Sequence, residues 1–224
     1  MSLESELYKE MRAFKRWAAK YYPECNEEHD NGEWEDGGGR SHFAEMVSAA
    51  YKVISDVPSG SASASLIDAM LFAVARDNEC ENLADELVGH VDWFTLLANA
   101  SLSSCYINAQ WQFAKRVGLV AGCESLVFSF LGSSDEYTSR MALQTLADVY
   151  PSRAEEYAEL FWNRGLYEVG SYGDEYQKIM ALHVLDQIGS DKLGEYVEKA
   201  LATSYVYLKR NAEALKGGGS CCEE

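Results

Sequence analysis

Residues 135–149 read DEYTSRMALQTLADV, and residues 174–188, thirty-nine positions later, read DEYQKIMALHVLDQI. Over the longer windows 135–161 and 174–200, ten of twenty-seven aligned positions are identical. Self-similarity at a fixed period of this length is typical of proteins built from repeated helical units. This internal repeat therefore decides which fold we expect.

Each copy of the repeat places apolar residues at helical spacing, which predicts a first helix with one buried face. The matching apolar residues are Met141, Leu143, Leu146 and Val149 in the first copy and Met180, Leu182, Leu185 and Ile188 in the second. A short turn follows in both copies, and a second helical stretch then carries Tyr157 or Tyr196. One period therefore contains two antiparallel helices.

Helical periodicity also dominates the rest of the chain, and stretches with strand-like alternation are hard to find. The sequence predicts an all-α protein of about eleven or twelve helices. We expect one domain over residues 1–216, with capping helices and an acidic loop in residues 1–60 and helical repeats in residues 61–216. Residues 217–224 are expected to be a flexible tail.

The two-helix unit of about forty residues resembles a HEAT-type or armadillo-type repeat, most clearly over residues 135–201. The resemblance implies a right-handed α-α superhelix, an α-solenoid in which each helix pair buries its apolar face on its neighbours. It also implies protein binding, because HEAT-like proteins mostly bind other proteins. Some small bacterial members resemble immunity proteins that neutralise a toxin.

The charge of the chain limits its possible partners. The 36 acidic and 19 basic residues give a formal net charge of −17, and residues 1–100 alone hold 19 acids and 8 bases. Such a charge repels phosphate backbones and anionic membrane surfaces, and it steers basic proteins toward the molecule. We therefore expect a basic protein partner, which the family resemblance makes toxin-like, and we expect no binding to nucleic acid or membranes.

The beginning of the chain mixes charged and apolar residues, unlike a signal peptide, and its apolar runs are far shorter than the ~20 residues that span a bilayer. The six cysteines lack the close spacing of a metal site. These features predict a soluble cytoplasmic protein whose cysteines are free thiols.

The first candidate binding surface is the stretch ARDNECENLADE at residues 75–86. A single base accompanies the five acids Asp77, Glu79, Glu81, Asp85 and Glu86. These carboxylates could receive Lys or Arg side chains of a partner through charge-assisted hydrogen bonds. Alternatively, the stretch is a turn between helices in which Asp77 or Asn78 caps the next helix.

The second candidate surface is the acidic loop around Trp34, which is flanked by Glu33 and Glu35. A tryptophan with an acidic rim could anchor an interface, because buried aromatic residues dominate binding energy. The alternative is that Trp34 packs against the first pair of helices. The spacing of the acids in this loop does not match a calcium-binding loop.

The repeated DEY motif brings acids and a tyrosine to the start of each copy. Acids in the first turn of a helix satisfy free backbone N–H groups and favour the helix dipole. We therefore interpret Asp135, Glu136, Asp174 and Glu175 as helix-start residues. The tyrosines that follow them, Tyr137 and Tyr176, are interpreted as packing residues between repeats.

The sequence contains no motif that predicts catalysis. It lacks a nucleophile elbow, an H-E-x-x-H motif and a phosphate-binding loop. A zinc site could use Cys25, His29 and His42, but no C-x-x-C pair accompanies them. We expect no enzymatic activity, no catalytic residue, no cofactor and no metal. The alternatives are an enzyme or small-ligand binder in the solenoid groove, or a structural scaffold.

Overall fold

A computed structural model describes residues 2–22 and 41–217 of the chain. These residues form twelve α-helices and no β-strand, so the predicted all-α class is confirmed. The helices are α1 (Leu3–Tyr21), α2 (Phe43–Asp56), α3 (Ala64–Arg76), α4 (Asn82–Val88), α5 (Val91–Ser101), α6 (Ile107–Arg116), α7 (Val127–Leu131), α8 (Glu136–Val149), α9 (Pro151–Asn163), α10 (Tyr172–Gln187), α11 (Leu193–Leu201) and α12 (Val206–Lys216). The right-handed superhelix implied by the resemblance stays a prediction.

The chain divides into two compact units, Met1–Leu126 and Val127–Glu224. The first unit contains α1 to α6, and the second contains α7 to α12. One continuous repeat domain over residues 1–216 stays a prediction, because the helices of a solenoid also form compact local groups with their nearest neighbours.

The core of the first unit is built around α3, which contacts α1, α2, α4, α5 and α6. Every residue of α3 from 69 to 76 is buried, as expected for a helix that is enclosed on all sides. The ring of Phe72 lies edge-on to Phe14 at 5.9 Å and to Tyr106 at 6.0 Å between centroids. Aromatic packing on α3 therefore connects α1 to the segment before α6.

The second unit contains the sequence repeat, and each copy folds as the predicted helix pair. The first copy forms α8 and α9, and the second forms α10 and α11. Ala142 and Ala181, which occupy equivalent positions, are both fully buried. The α10 helix contacts α8, α9, α11 and α12, so it is central to this unit. The second helices of the two copies also meet, where Trp162 lies edge-on to Tyr196 at 5.1 Å.

Within residues 2–22 and 41–217, none of the helices combines the length and the apolar character needed to cross a lipid bilayer.

Candidate functional site

The acidic segment, which we define as residues 77–86, comprises the connection between α3 and α4 and most of α4 itself. Asp77 is only 3% exposed, and its Oδ2 atom accepts a hydrogen bond of 2.7 Å from the backbone N–H of Leu83 in the first turn of α4. A carboxylate at this position satisfies one of the free donors of a helix start. Asp77 therefore has the structural role that the sequence offered as the alternative to partner binding.

Two further acids of the segment bind basic residues at the end of α6. Arg116 is 4% exposed, and its guanidinium lies 2.5 Å from Glu81 Oε2 and 2.7 Å from Asp85 Oδ1. Lys115 Nζ lies 2.9 Å from Glu81 Oε1. Glu81 and Asp85 thus hold α4 against α6, and much of their charge is compensated inside the molecule.

Three acids of the segment face solvent, and one of them is Asp85, whose side chain is 66% exposed although it pairs with Arg116. Glu79 is exposed, and Glu86 is exposed and lies 3.2 Å from the Nε2 atom of His90. The structure therefore brings the five predicted acids close together but gives them different roles. The other three predicted binding residues, Glu33, Trp34 and Glu35, lie outside the described residues.

A cavity of about 400 Å³ lies beside the acidic segment. Its wall includes the rings of Phe14, Trp17 and Phe43, together with Asp77 and Glu79. This volume is in the range of small-molecule sites, which combine aromatic walls with a few polar groups. The cavity is the feature that a small-ligand binder would use, although Asp77 directs one of its oxygens to the backbone of α4.

Asp77 makes the stability of the first unit depend on pH. Burial raises the pKa of Asp77, the hydrogen bond from Leu83 lowers it only in part, and the nearby Asp85 and Glu81 raise it further. The pKa of Asp77 is higher in the folded state than in the unfolded state. Asp77 therefore adds its full contribution to the free energy of unfolding below the ordinary pKa of 3.8, and this contribution is lost as the pH rises through the raised pKa.

We expect Asp77→Asn to remove this pH dependence, because the Asn amide does not titrate and its Oδ1 atom can still accept from Leu83. The free energy of unfolding of the Asp77→Asn variant minus that of the wild type should therefore increase from pH 3.8 toward neutrality. This difference should grow by about 1.4 kcal/mol for each unit by which folding raises the pKa of Asp77. Urea unfolding at a series of pH values measures it, and a difference that is constant with pH would contradict it.

Two of the four acids of the repeated DEY motif, Asp135 and Glu175, cap a helix, whereas Glu136 pairs with Arg140 and Asp174 bonds side chains. Asp135 caps its own helix, because its Oδ2 atom accepts from the Thr138 N–H at 2.7 Å. Glu175, which is 6% exposed, lies in α10 but caps a different helix, α12. Its Oε1 atom accepts from the N–H groups of Tyr207 at 2.7 Å and Leu208 at 2.9 Å.

Asp174 holds the segment that leads into α12. It is 3% exposed and accepts hydrogen bonds from Lys178, Gln177 and the hydroxyl of Tyr205. Burial opposes its ionisation, but these three donors together keep the pKa of Asp174 below its ordinary value. The Tyr205 hydroxyl also accepts from the Gly170 N–H at 2.8 Å. Two buried carboxylates of α10 therefore position the start of α12.

The start of α12 completes a surface that we call the tyrosine surface, formed by side chains of α8, α10 and α12. Its residues are Tyr137, Arg140, Tyr172, Tyr176, Tyr207 and Arg210. The helices that carry them are in contact, α8 with α10 and α10 with α12. The surface is therefore assembled from three helices that are separated along the chain.

The rings of the tyrosine surface form a continuous series. Tyr176 stacks on Tyr172 with 6.1 Å between centroids and on Tyr207 with 6.5 Å, at interplanar angles of 21° and 29°. The Arg140 guanidinium lies 5.1 Å from the Tyr176 ring centroid and 4.8 Å from that of Tyr137. Such stacking and cation–π contacts hold the side chains in defined positions.

The tyrosine surface is open to solvent. Tyr172 is 69% exposed, Tyr207 43% and Tyr137 38%. Val206, which precedes Tyr207 in α12, is also exposed. The sequence predicts Tyr137 and Tyr176 as packing residues between repeats, and Tyr176 does contact Tyr207 of α12. The exposed Tyr172 and Tyr207 were missed, since only the DEY tyrosines repeat at the period of the helix pairs.

A half-buried arginine supports the tyrosine surface from the end of α9. Arg164 donates from Nε to Gln177 Oε1 and from Nη2 to Ser139 Oγ, both at 2.9 Å. Burial raises the pKa of the nearby Glu136, and Arg140 at 2.8 Å opposes this only in part. The Arg164 hydrogen bonds therefore connect α8 to α10, the two helices that carry Tyr137, Tyr172 and Tyr176.

The residues considered for zinc do not form a site within the described chain. The Nδ1 atom of His42 lies 2.8 Å from Glu10 Oε2, and hydrogen bonds from Lys9 and His42 lower the pKa of Glu10. Cys25 and His29 lie outside the described residues. In the part of the chain that the structure describes, no group of three or more His, Cys, Asp or Glu side chains is arranged to hold a metal ion.

No family model matches the chain, and no match is found among curated proteins or solved structures. The resemblance to HEAT-type repeats therefore stays a prediction that rests on the repeat itself.

Proposed function

We propose that this protein is a non-catalytic recognition module whose tyrosine surface binds a basic protein partner. The observation that carries the proposal is the series of rings in which the exposed Tyr137, Tyr172 and Tyr207 surround the half-buried Tyr176, together with its associated arginines. Tyrosine and arginine are enriched among the residues that dominate binding energy at protein interfaces. Rings already held by stacking lose little conformational freedom when a partner binds.

The net charge of −17 supports a basic partner, because long-range attraction raises the rate of encounter with a cationic protein. The exposed Glu79 and Glu86 contribute to this field. Asp77 and Glu81 contribute less to contact, because they are engaged within the first unit, whereas Asp85 pairs with Arg116 but keeps a side chain that is 66% exposed. In this proposal the tyrosine surface supplies affinity, and the acidic residues supply steering.

Neutralisation of a toxin is a specific activity that such recognition would support, and it rests only on the resemblance to HEAT-like immunity proteins. In that case this protein would neutralise the toxin by covering a basic surface that the toxin needs for its activity. Recognition is favoured over catalysis because Asp77, a carboxylate beside the cavity whose pKa is raised by burial, serves as a helix cap.

The proposal predicts that the double variant Tyr172→Ala/Tyr207→Ala loses its partner. Loss of a central interface tyrosine costs about 2 kcal/mol, so two such losses should weaken binding by at least about a hundredfold. The measurement is chemical crosslinking and affinity capture from a lysate of the native cell, quantified by mass spectrometry. The protein that depends on both tyrosines is then purified, and its dissociation constant is measured directly.

The matched control is Tyr21→Ala, which removes a tyrosine of similar exposure, 37%, from the first unit. This variant should retain the partner. Equal capture by the wild type, the double variant and the control would argue against recognition through the tyrosine surface. Circular dichroism establishes that all three proteins are folded.

A further inference from the structure

Arginine side chains already lie over the rings of the tyrosine surface. The guanidinium of Arg140 lies 4.8 Å from the Tyr137 centroid and 5.1 Å from that of Tyr176, and Arg210 lies 5.9 Å from that of Tyr207. All three distances are within the range of about 6 Å over which a cation is attracted to an aromatic face. The surface is therefore built to present tyrosine faces to guanidinium groups.

The same surface has ring area left for a ligand. Tyr172 turns one face toward Tyr176 in a near-parallel stack, and 69% of its surface is exposed. Tyr207 stacks on the same central ring and is 43% exposed. Tyr172 therefore offers a face on which the internal series of rings and guanidinium groups can continue. On Tyr207, a guanidinium of the partner would take the place of the exposed Arg210, which lies 5.9 Å from the ring centroid.

The electrostatic surroundings favour a cation at this position. Asp174 and Glu175 lie buried in the first turn of α10, beside the tyrosine rings. Lys178 pairs with Asp174, whereas Glu175 accepts only from the backbone N–H groups of Tyr207 and Leu208 and keeps its negative charge close to the start of α12. The whole molecule carries the same sign of charge.

Arginine suits these faces better than lysine does. The guanidinium is planar and weakly hydrated, so it stacks on an aromatic ring, whereas the compact ammonium of lysine retains its water more strongly. We propose that the tyrosine surface recognises arginine side chains of its partner by stacking their guanidinium groups on Tyr172 and Tyr207. This inference rests on the proposed function and specifies the chemistry of the partner.

The test uses three short peptides in which glycine alternates with arginine, lysine or citrulline. Citrulline keeps the planar shape of arginine but has no charge. Binding is followed by NMR of the full-length protein with isotopically labelled tyrosine rings, at an ionic strength of about 0.15 M to limit non-specific attraction. We expect the arginine peptide to shift the Tyr172 and Tyr207 ring resonances and to bind about three- to tenfold more tightly than the lysine peptide. Citrulline should bind most weakly.

Two pairs of substitutions identify the ring face as the cause. Tyr172→Phe/Tyr207→Phe retains the ring faces and should retain the preference for arginine. Tyr172→Ala/Tyr207→Ala removes them and should abolish the preference, while the Tyr21→Ala control should keep it. Retention by the Phe variant also separates stacking from hydrogen bonding through the tyrosine hydroxyls.

Three results would overturn the inference. They are equal binding of the arginine and lysine peptides, a preference that survives the double Ala substitution, and no shift of the two rings at millimolar peptide. Equal binding would mean that only the net charge attracts the peptides. If any one of these results is obtained while binding of the native partner is still lost in the Tyr172→Ala/Tyr207→Ala variant, the arginine inference fails and the proposed function stands.

Discussion

Replacement of Arg116 with Met is expected to lower the free energy of unfolding of the first unit by about 3 kcal/mol. The guanidinium of Arg116 bonds Glu81, Asp85 and the backbone carbonyl of Gln112, and the residue is 4% exposed. Its removal leaves the Glu81 side chain, which is 16% exposed, without its closest counter-charge. Methionine fills part of the space, so the loss reflects mainly the Glu81 carboxylate, which then has only the more exposed Lys115 as a counter-charge.

Urea unfolding followed by far-UV circular dichroism measures this loss. The matched control is Lys115→Met, at the neighbouring position, since Lys115 also bonds Glu81 but is 47% exposed. An exposed ion pair contributes little, so the control should change stability by no more than about 0.5 kcal/mol. If both variants are equally stable, Glu81 and Asp85 do not depend on Arg116, and the acidic segment is more available to a partner than we infer.

Replacement of Glu175 with Ala is expected to loosen the start of α12 and thereby the tyrosine surface. The substitution removes the acceptor for the N–H groups of Tyr207 and Leu208. Apolar burial in α12 is limited to Leu208 and Ala212, so the helix depends strongly on this cap. We expect local opening to become easier by about 2 kcal/mol, which corresponds to roughly thirtyfold faster amide hydrogen exchange.

Hydrogen exchange resolved by residue for Tyr207 and Leu208 tests this expectation. Glu175→Gln should lie between the wild type and the Ala variant, because its side-chain carbonyl can still accept but carries no charge. Glu195→Ala is the control, since Glu195 pairs with Lys199 on the surface of α11 and should leave exchange in α12 unchanged. Unchanged exchange in Glu175→Ala would show that packing alone holds the helix.

The candidate surfaces could be predicted only in part. The acids of the segment 77–86 are neighbours in sequence, so their clustering needs no tertiary information. Their partners were not predicted, because Lys115 and Arg116 come from a helix more than thirty residues away. The sequence offered a capping role for Asp77 as an alternative, and this role is observed because capping is a local interaction.

The sequence by itself determined that this protein is all-α and that its repeat forms helix pairs, because helical periodicity and short turns depend on neighbouring residues. Only the tertiary structure decided that Glu175 caps α12 and that Tyr137, Tyr172, Tyr176 and Tyr207 form one surface. The contacts between helices, from Glu175 and Tyr176 to Tyr207 and from Arg140 to Tyr176, join residues more than thirty positions apart and follow from how helices pack. The spacing of apolar residues along one helix predicts that it packs, but it does not predict which side chains meet on the exposed side.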